Sequence, residues 1–352
     1  MKIHLLVWLS GCVLLLGCES HSPEKSLLAD YRARLARVLD VDKQEPRIID
    51  FVRYPKRRAL TLSQASSQLD LLEFLKLSPC RVQRIIGERN SSLGRVMSHS
   101  QQWLYEARFI VAGRECLQQL LADPDYVQLQ AKLQAAIDSK VAERRLVTWN
   151  ATFASREFQQ LFSQSAGPIG LDDPKPGELV DALARLRWLL DRWHSADIAP
   201  GDDLESAYQV IGAENWLGQL MATLLMVNAE LEVLNAMQAA RLEGRPLCFK
   251  GQSNRAGDIM HNVFLKYYIG QVQPYLARIY QQGDSVISEV NKIQYLTSPA
   301  DGQKPAVFDE YWAQSWNVAN GHSHWIQFKD LLREHTRHWQ SLLQQCGLMP
   351  GS

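Results

Sequence analysis

Four imidazoles fall within seventeen residues near the C-terminal end of the chain: His322, His324, His335 and His338. Nitrogen donors at that density suit zinc or copper, and His335 and His338, three apart on a predicted helix, share one face. The same helix carries Phe328, Leu332, His335, Trp339 and Leu342 as one apolar stripe. That stripe puts His335 on the packing seam, so packing is its first expected role and metal ligation the weaker one. The expected cofactor set is empty.

Two basic groups have the chemistry to meet anions. Arg53, Lys56, Arg57 and Arg58 cluster in the stretch broken by Pro46 and Pro55, before the next helical stretch, where they could touch anionic headgroups or lie as a solvated face. Arg89 and Arg95 flank the polar run from Glu88 to Arg95, ERNSSLGR, which could cradle an anion through backbone N–H groups. A loop whose Asn and Ser residues cap helix ends is the favoured reading there, because no phosphate-loop spacing accompanies it. Trp312, Trp316, Trp325 and Trp339 offer either a ligand cleft or an aromatic core, and core packing is the simpler account. HExxH, Walker A, GxGxxG and GxSxG are absent from the sequence, and the one SxxK, Ser22 to Lys25, stands in a polar stretch without walls. A non-enzymatic role is therefore the leading expectation.

The start of the chain speaks to location. Lys2 precedes an apolar run from Leu5 to Leu16, too short to span a bilayer, which needs about 20 residues. It reads as the hydrophobic core of a signal peptide over residues 1–17. Its end, Leu15-Leu16-Gly17-Cys18, resembles the lipobox of bacterial lipoproteins, which implies cleavage before Cys18 and acylation of that cysteine. Three acyl chains, palmitate among them, exceed the two signals that stable anchoring takes. Glu19 follows Cys18 where an Asp would mark inner-membrane retention, so the outer membrane, on its periplasmic face, is the expected location. The membrane is then the first expected partner, reached through the lipid.

Composition fits a folded body behind such an anchor, with 46% hydrophobic and 22% charged residues. Without residues 1–17 the chain carries 37 basic and 38 acidic residues, so nothing draws it to nucleic acid, which is not an expected partner. Of six cysteines, Cys12 leaves with the signal and Cys18 takes lipid. Cys80, Cys116, Cys248 and Cys346 remain, an even number suited to disulfides in an oxidising compartment. Three connectivities are open; pairing Cys80 with Cys116 and Cys248 with Cys346 keeps each bridge on one side of the best linker.

That linker is residues 167–178, GPIGLDDPKPGE, with three prolines and three glycines. The remainder reads as helices: a tether over 18–26, Ser26 as a candidate cap, an N-terminal helical lobe over 27–166 and a C-terminal helical lobe over 179–347. Ile48 to Val52 is the one stretch with strand character. Ser78-Pro79 is a helix-start signature that would put Cys80 in a first turn, and Ser98 with Gln101 makes a capping box. From Leu204 to Arg241, positions Ala213, Leu217, Leu220, Leu224, Val227, Leu231 and Leu234 alternate spacings of four and three, a packing seam on one long helix. A bend is expected at Pro274, and the last helix runs from about His324 to Cys346 with Gly347 as its stop. The fold class is mainly all-α, a multi-helix bundle dividing into two lobes, with little or no strand.

RYPKRR at Arg53, ERNSSLGRVM at Glu88, WNATF at Trp149 and NVFLKYYIGQVQPYLA at Asn262 resemble runs in a proteobacterial family of lipoproteins catalogued as domain-of-unknown-function family 3080. The likeness extends over nearly the whole chain after the signal, including the four cysteines and the ending QQCGLMP. It implies an envelope setting and supplies no mechanism. Two expectations follow. The leading one is an outer-membrane-anchored periplasmic lipoprotein with a binding or envelope-maintenance role, holding an envelope protein partner, a lipid or a cell-wall component in grooves between its helices. The other is a periplasmic hydrolase or metal-dependent enzyme built on His322, His324, His335 and His338.

Overall fold

A computed structural model describes residues 22–51, 53–65, 70–120, 124–196, 199–300, 302–319 and 321–349. The signal over 1–17, Cys18 and the tether up to residue 21 lie outside the described residues. Within them the chain forms α1 (Pro23–Leu39), α2 (Arg57–Leu60), α3 (Leu71–Lys76), α4 (Arg81–Asn90), α5 (His99–Leu120), α6 (Val127–Ala142), α7 (Arg144–Ala151) and α8 (Arg156–Leu161). There follow α9 (Gly177–Ala196), α10 (Asp203–Ala213), α11 (Trp216–Glu243), α12 (Arg255–Val263), α13 (Gln273–Thr297), α14 (Ala306–Ser315) and α15 (His324–Gln345), with a π-helical segment, Phe264–Val272, joining α12 to α13. No strand occurs among the described residues, and an isolated bridge between Phe249 and Gln252 is the one piece of sheet-like pairing. The protein is mainly all-α. Residues Ile48 to Phe51 take no regular secondary structure, and Ile48 is 97% exposed; Val52 is not described.

Helix α11 is the axis of the fold. Leu217, Leu220, Leu224, Val227, Leu231 and Leu234 are buried, and so are Met221, Ala229, Val233 and Met237 on its other faces. A helix apolar on all sides must be enclosed by others. Composition alone would let residues 203–243 cross a membrane, yet 72% of that apolar window is buried in the protein's own core. The stretch is two helices, not the one expected: the chain turns extended at Glu214, α11 restarts at Trp216, and Ala213 is exposed off the seam. The break lets α11 cross the end of α8, where a Cβ on Gly218 would overlap the Ser163 carbonyl.

Helices α11 and α15 run parallel in a heptad register. Asn228 Nδ2 donates to the His324 carbonyl at 3.0 Å, and Asn235 Nδ2 to the Leu331 carbonyl at 3.0 Å, each partner advancing by seven. A buried asparagine at such a position tolerates one alignment, because any slip leaves its amide without a partner. Parallel neighbours need a long return, which residues 244–323 provide. The shared direction brings both C-terminal ends together, and there Cys248 pairs with Cys346. Gly347, at φ +64, closes α15 in a Schellman turn: Leu348 N–H donates to the Leu343 carbonyl and Gly347 N–H to that of Gln344.

The second disulfide, Cys80–Cys116, ties the start of α4 to α5. Cys80 is the residue before α4 rather than inside its first turn, because Pro79 falls in the tight turn that follows α3. The chain-entropy account gives about 4 kcal/mol for a 36-residue separation and about 5 kcal/mol for 98 residues. Replacing Cys248 and Cys346 by alanine should thus lower the urea midpoint more than the same change at Cys80 and Cys116, and the reverse order would refute loop closure as the dominant contribution.

Helices from both sides of residues 167–178 share one core. Helix α1 packs against α11, α12 and the π segment; α5 and α8 meet α10; and α7 meets α9 and α13. The segment itself is strapped down: Ile169 is buried, its N–H donates to Thr223 Oγ1 at 2.9 Å, and its carbonyl accepts from Tyr275 OH at 2.9 Å. Arg278 donates to the carbonyls of Gly170 and Asp173. Its prolines and glycines shape a tight path instead of a free spacer.

Two local features differ from expectation. Helix α1 begins at Pro23, not after Ser26, since proline at the first helical position needs no N–H partner and arrives with helical φ. Before Pro274 the chain widens into π-helical turns, which accommodate a ring that would strike the carbonyl four residues back. The Ser98–Gln101 capping box is present: Gln101 N–H donates to Ser98 Oγ at 3.2 Å and Ser98 N–H to Gln101 Oε1 at 3.4 Å.

Candidate functional site

The most chemically loaded place in the molecule is the seam where α1 meets α11, α15 and the π segment. Tyr31 lies on α1 between Leu28 and Leu35, all three buried, so helical spacing alone carries its hydroxyl into the core. His335 meets it from α15. Its Nε2 is 2.8 Å from Tyr31 OH, and its Nδ1 is 2.9 Å from Asn235 Oδ1 on α11. Trp339 Nε1 donates to the Tyr31 oxygen at 2.8 Å.

These contacts define the proton positions. Asn235 Nδ2 is committed to the Leu331 carbonyl, so Asn235 Oδ1 faces the imidazole and accepts from His335 Nδ1–H. Nε2 is then the bare nitrogen and accepts from Tyr31, whose oxygen is in turn free to accept from Trp339. The chain runs Trp339 to Tyr31 to His335 to Asn235 to Leu331; Trp339 Nε1 also lies 3.2 Å from His335 Nε2, and Asn235 Nδ2 also donates to Glu334 Oε2 at 3.2 Å. Burial drives the imidazole pKa down to about 3, helped by nearby His338, so His335 is neutral at physiological pH. Its single lone pair is occupied by Tyr31, and none is left for a metal. Tyr268, from the π segment, closes the wall with its ring centroid 5.0 Å from that of His335.

The remaining histidines do not join it. His324 opens α15 eleven residues before His335, about 16 Å along the helix axis. Burial lowers its pKa, and its carbonyl serves Asn228. His322 is exposed, and His338 turns toward Glu334, 4.0 Å from its carboxylate. The four imidazoles therefore form no ligand set, and no group of three or more His, Cys, Asp or Glu placed to hold a metal exists among the described residues. The i, i+3 spacing placed His335 and His338 on adjoining strips of one helix, but α1 and α11 cover only the first.

One residue along α1 the seam turns ionic. Arg32 Nη1 lies 2.9 and 3.0 Å from the two carboxylate oxygens of buried Glu230, and Arg32 Nη2 reaches Glu45 at 2.5 Å. Lys43 also pairs with Glu45, at 2.7 Å. Burial pushes the Glu230 carboxyl above its ordinary value, against the pull of Arg32; Glu45, at the surface, is held below its ordinary value by its bond to Lys43 and by the charge of Arg32. The pair thus fixes α1 to α11 and straps the segment after α1 onto both.

The basic candidates sit elsewhere. Arg53, Lys56, Arg57 and Arg58 are all exposed, and Arg57 Nε donates to the Ala154 carbonyl at 3.3 Å. Tyr54, in their midst, stacks on Phe162 with centroids 4.4 Å apart and donates to the Phe153 carbonyl at 2.6 Å. It pins the cluster to an aromatic core that also holds Trp312 and Trp316, both buried, as are Trp325 and Trp339. In the run from Glu88 to Arg95, Gly94 N–H donates to Ser91 Oγ at 3.0 Å, and the Arg89 guanidinium donates to the Gly94 carbonyl. The loop spends its polar groups on closing α4; Arg95 alone of its two arginines is exposed. Beside it lies an open groove of about 650 Å³ lined by Ile85, Leu93, Met97, Leu104, Tyr105 and Arg108.

Sequence reasoning passed over Tyr31, Arg32, Glu230 and Asn235. The available signal was polar residues at core positions of apolar stripes, with Asn228 and Asn235 seven apart along the α11 seam. No curated protein and no solved structure matches the chain. A family profile does match, over residues 28–350, from the first buried leucine of α1 to beyond the Schellman turn of α15. Because that match takes in every helix that builds the seam, the chain belongs to the DUF3080 family, described as proteins of unknown function.

Proposed function

We propose that the protein is a lipoprotein, anchored through Cys18 to the outer membrane on its periplasmic face, and that it acts by binding a component of the envelope rather than by catalysis. The observation that carries this reading is the integration of α1. This helix begins five residues after Cys18 and is locked into the core by Leu28, Leu35, Leu39 and Tyr31 and by the Arg32–Glu230 pair. An acylated Cys18 would hold the whole body against the bilayer, not a loose tail. The two disulfides suit an oxidising compartment. The binding reading is supported by the densest polar constellation, which faces inward and spends its donors and acceptors on itself.

Mass spectrometry of the N-terminal peptide from the membrane fraction tests the anchor. Cys18 should appear as the first residue carrying diacylglycerol and an amide-linked acyl chain, and Cys18→Ser should release the protein from the outer-membrane fraction. An unmodified Cys18, or a Cys18→Ser protein that stays with that fraction, defeats the reading. Crosslinking of the full-length protein in its own envelope then addresses the partner: a stoichiometric protein adduct supports binding, and recovery of the protein alone argues against a protein partner.

A further inference from the structure

The anchor point and the fold together select one face of the molecule. Helix α1 and the stretch from α12 through the π segment run antiparallel. Arg34 lies over the Tyr267 ring at 3.9 Å, Tyr31 stacks on Tyr268 at 5.9 Å, and at the beginning of α1 burial first, and then the Glu24 carboxylate, push the Tyr275 hydroxyl up. The start of α1 therefore lies beside the end of the π segment. Four residues separate Cys18 from Pro23, and the five Cα-to-Cα steps between them span at most about 18 Å when fully extended.

The π segment has two unlike sides. Phe264, Tyr268 and Val272 are buried, Tyr268 against Tyr31 of α1 and His335 of α15, and Phe264 against Trp339 of α15. Leu265 and Ile269, four apart on the outer side, are 45% and 36% exposed, and Lys266 beside them is exposed, as is Lys25 on the first turn of α1. Apolar side chains flanked by lysines are what an interfacial helix presents to anionic lipid, the carbons entering the headgroup boundary and the ammonium groups staying at it.

We propose that the outer face of the π segment, Leu265, Lys266 and Ile269, together with Lys25, rests on the lipid surface that holds the anchor, so that the body has one fixed orientation on the membrane. This rests on the proposed acylation of Cys18. The committed occupant is lipid because the short chain between Cys18 and α1 leaves this face within reach of the bilayer, whereas the exposed leucines of α3 have no such constraint. The comparison position is Tyr295, 75% exposed at the far end of α13, twenty residues and about 30 Å along the helix from Tyr275 and so outside this face.

The test uses full-length acylated protein in vesicles of phosphatidylethanolamine and phosphatidylglycerol, with and without phosphatidylcholine brominated on its acyl chains. Ile269→Trp and Tyr295→Trp are compared with the parent protein, and thermal unfolding confirms that each variant is folded. The emission added by Ile269→Trp should fall roughly twofold with brominated lipid, while that added by Tyr295→Trp should not change. Flotation with the vesicles separates the two ways of failing. Protein that floats but shows equal quenching at the two positions, or none at 269, overturns the proposed face and leaves the anchor standing; protein that does not float refutes the anchor and this proposal with it. Should an Ile269→Trp protein not fold, Leu265→Trp reads the same face and carries the same expectation.

Discussion

Replacing Arg32 by alanine should destabilise the protein by about 3–5 kcal/mol, the range for stripping one partner from a buried ion pair. The Glu230 carboxylate would be left within the core with no cation, since Arg32 supplies both of its close nitrogen contacts. Burial already pushes the Glu230 carboxyl up, so without Arg32 it would retain a proton to a higher pH still. The double variant Arg32→Met with Glu230→Leu should lie close to the parent, because an apolar pair of similar volume removes the desolvation penalty along with the attraction. Urea unfolding of the three proteins measures both. An Arg32→Ala loss below about 1 kcal/mol, or a double variant less stable than Arg32→Ala, would show that the pair does not hold α1 to α11.

The second large effect is a dependence on pH. The folded imidazole of His335 resists protonation until about pH 3, whereas the unfolded one takes a proton near 6.5. A depressed folded pKa contributes stability that is complete above the unfolded value and is lost as pH falls through the folded one, at about 1.4 kcal/mol per pH unit between them. Between pH 7 and pH 5 this amounts to about 2 kcal/mol from His335 alone. Burial lowers His194 as well, to about 4, so the parent protein should lose more than that. Glu230 acts in the opposite sense: its raised carboxyl contributes most below its unfolded value, and that contribution fades as pH rises through the folded one. Comparison with His335→Gln isolates the imidazole. The glutamine variant should be less stable at pH 7 and should lose about 2 kcal/mol less on going to pH 5. Parallel stability curves for the two proteins would mean that His335 is not held neutral by the core.

Both effects come from contacts between residues far apart in the chain, and this divides what could be read from the residues in order from what could not. The Ser98–Gln101 capping box, the Gly347 stop and the seam from Leu217 to Leu234 are legible because each depends on side chains within a turn or two of one another. The apolar stripe from Phe328 to Leu342 likewise assigned His335 to packing. Nothing local revealed that its partners would be Tyr31, 304 residues away, and Asn235, 100 away, or that Arg32 would find Glu230 across 198 residues.

By itself, then, the sequence determined an all-α chain, its family, four cysteines suited to bridges and a candidate acylated start, since periodicity, caps and motifs are properties of neighbouring residues. Tertiary structure decided that α11 and α15 run parallel, that residues 167–178 are strapped down, and that the histidines part company. The physical reason is that a polar side chain on an apolar stripe specifies only that it will be buried. Which distant donor or acceptor then satisfies it is chosen by the packing of whole helices.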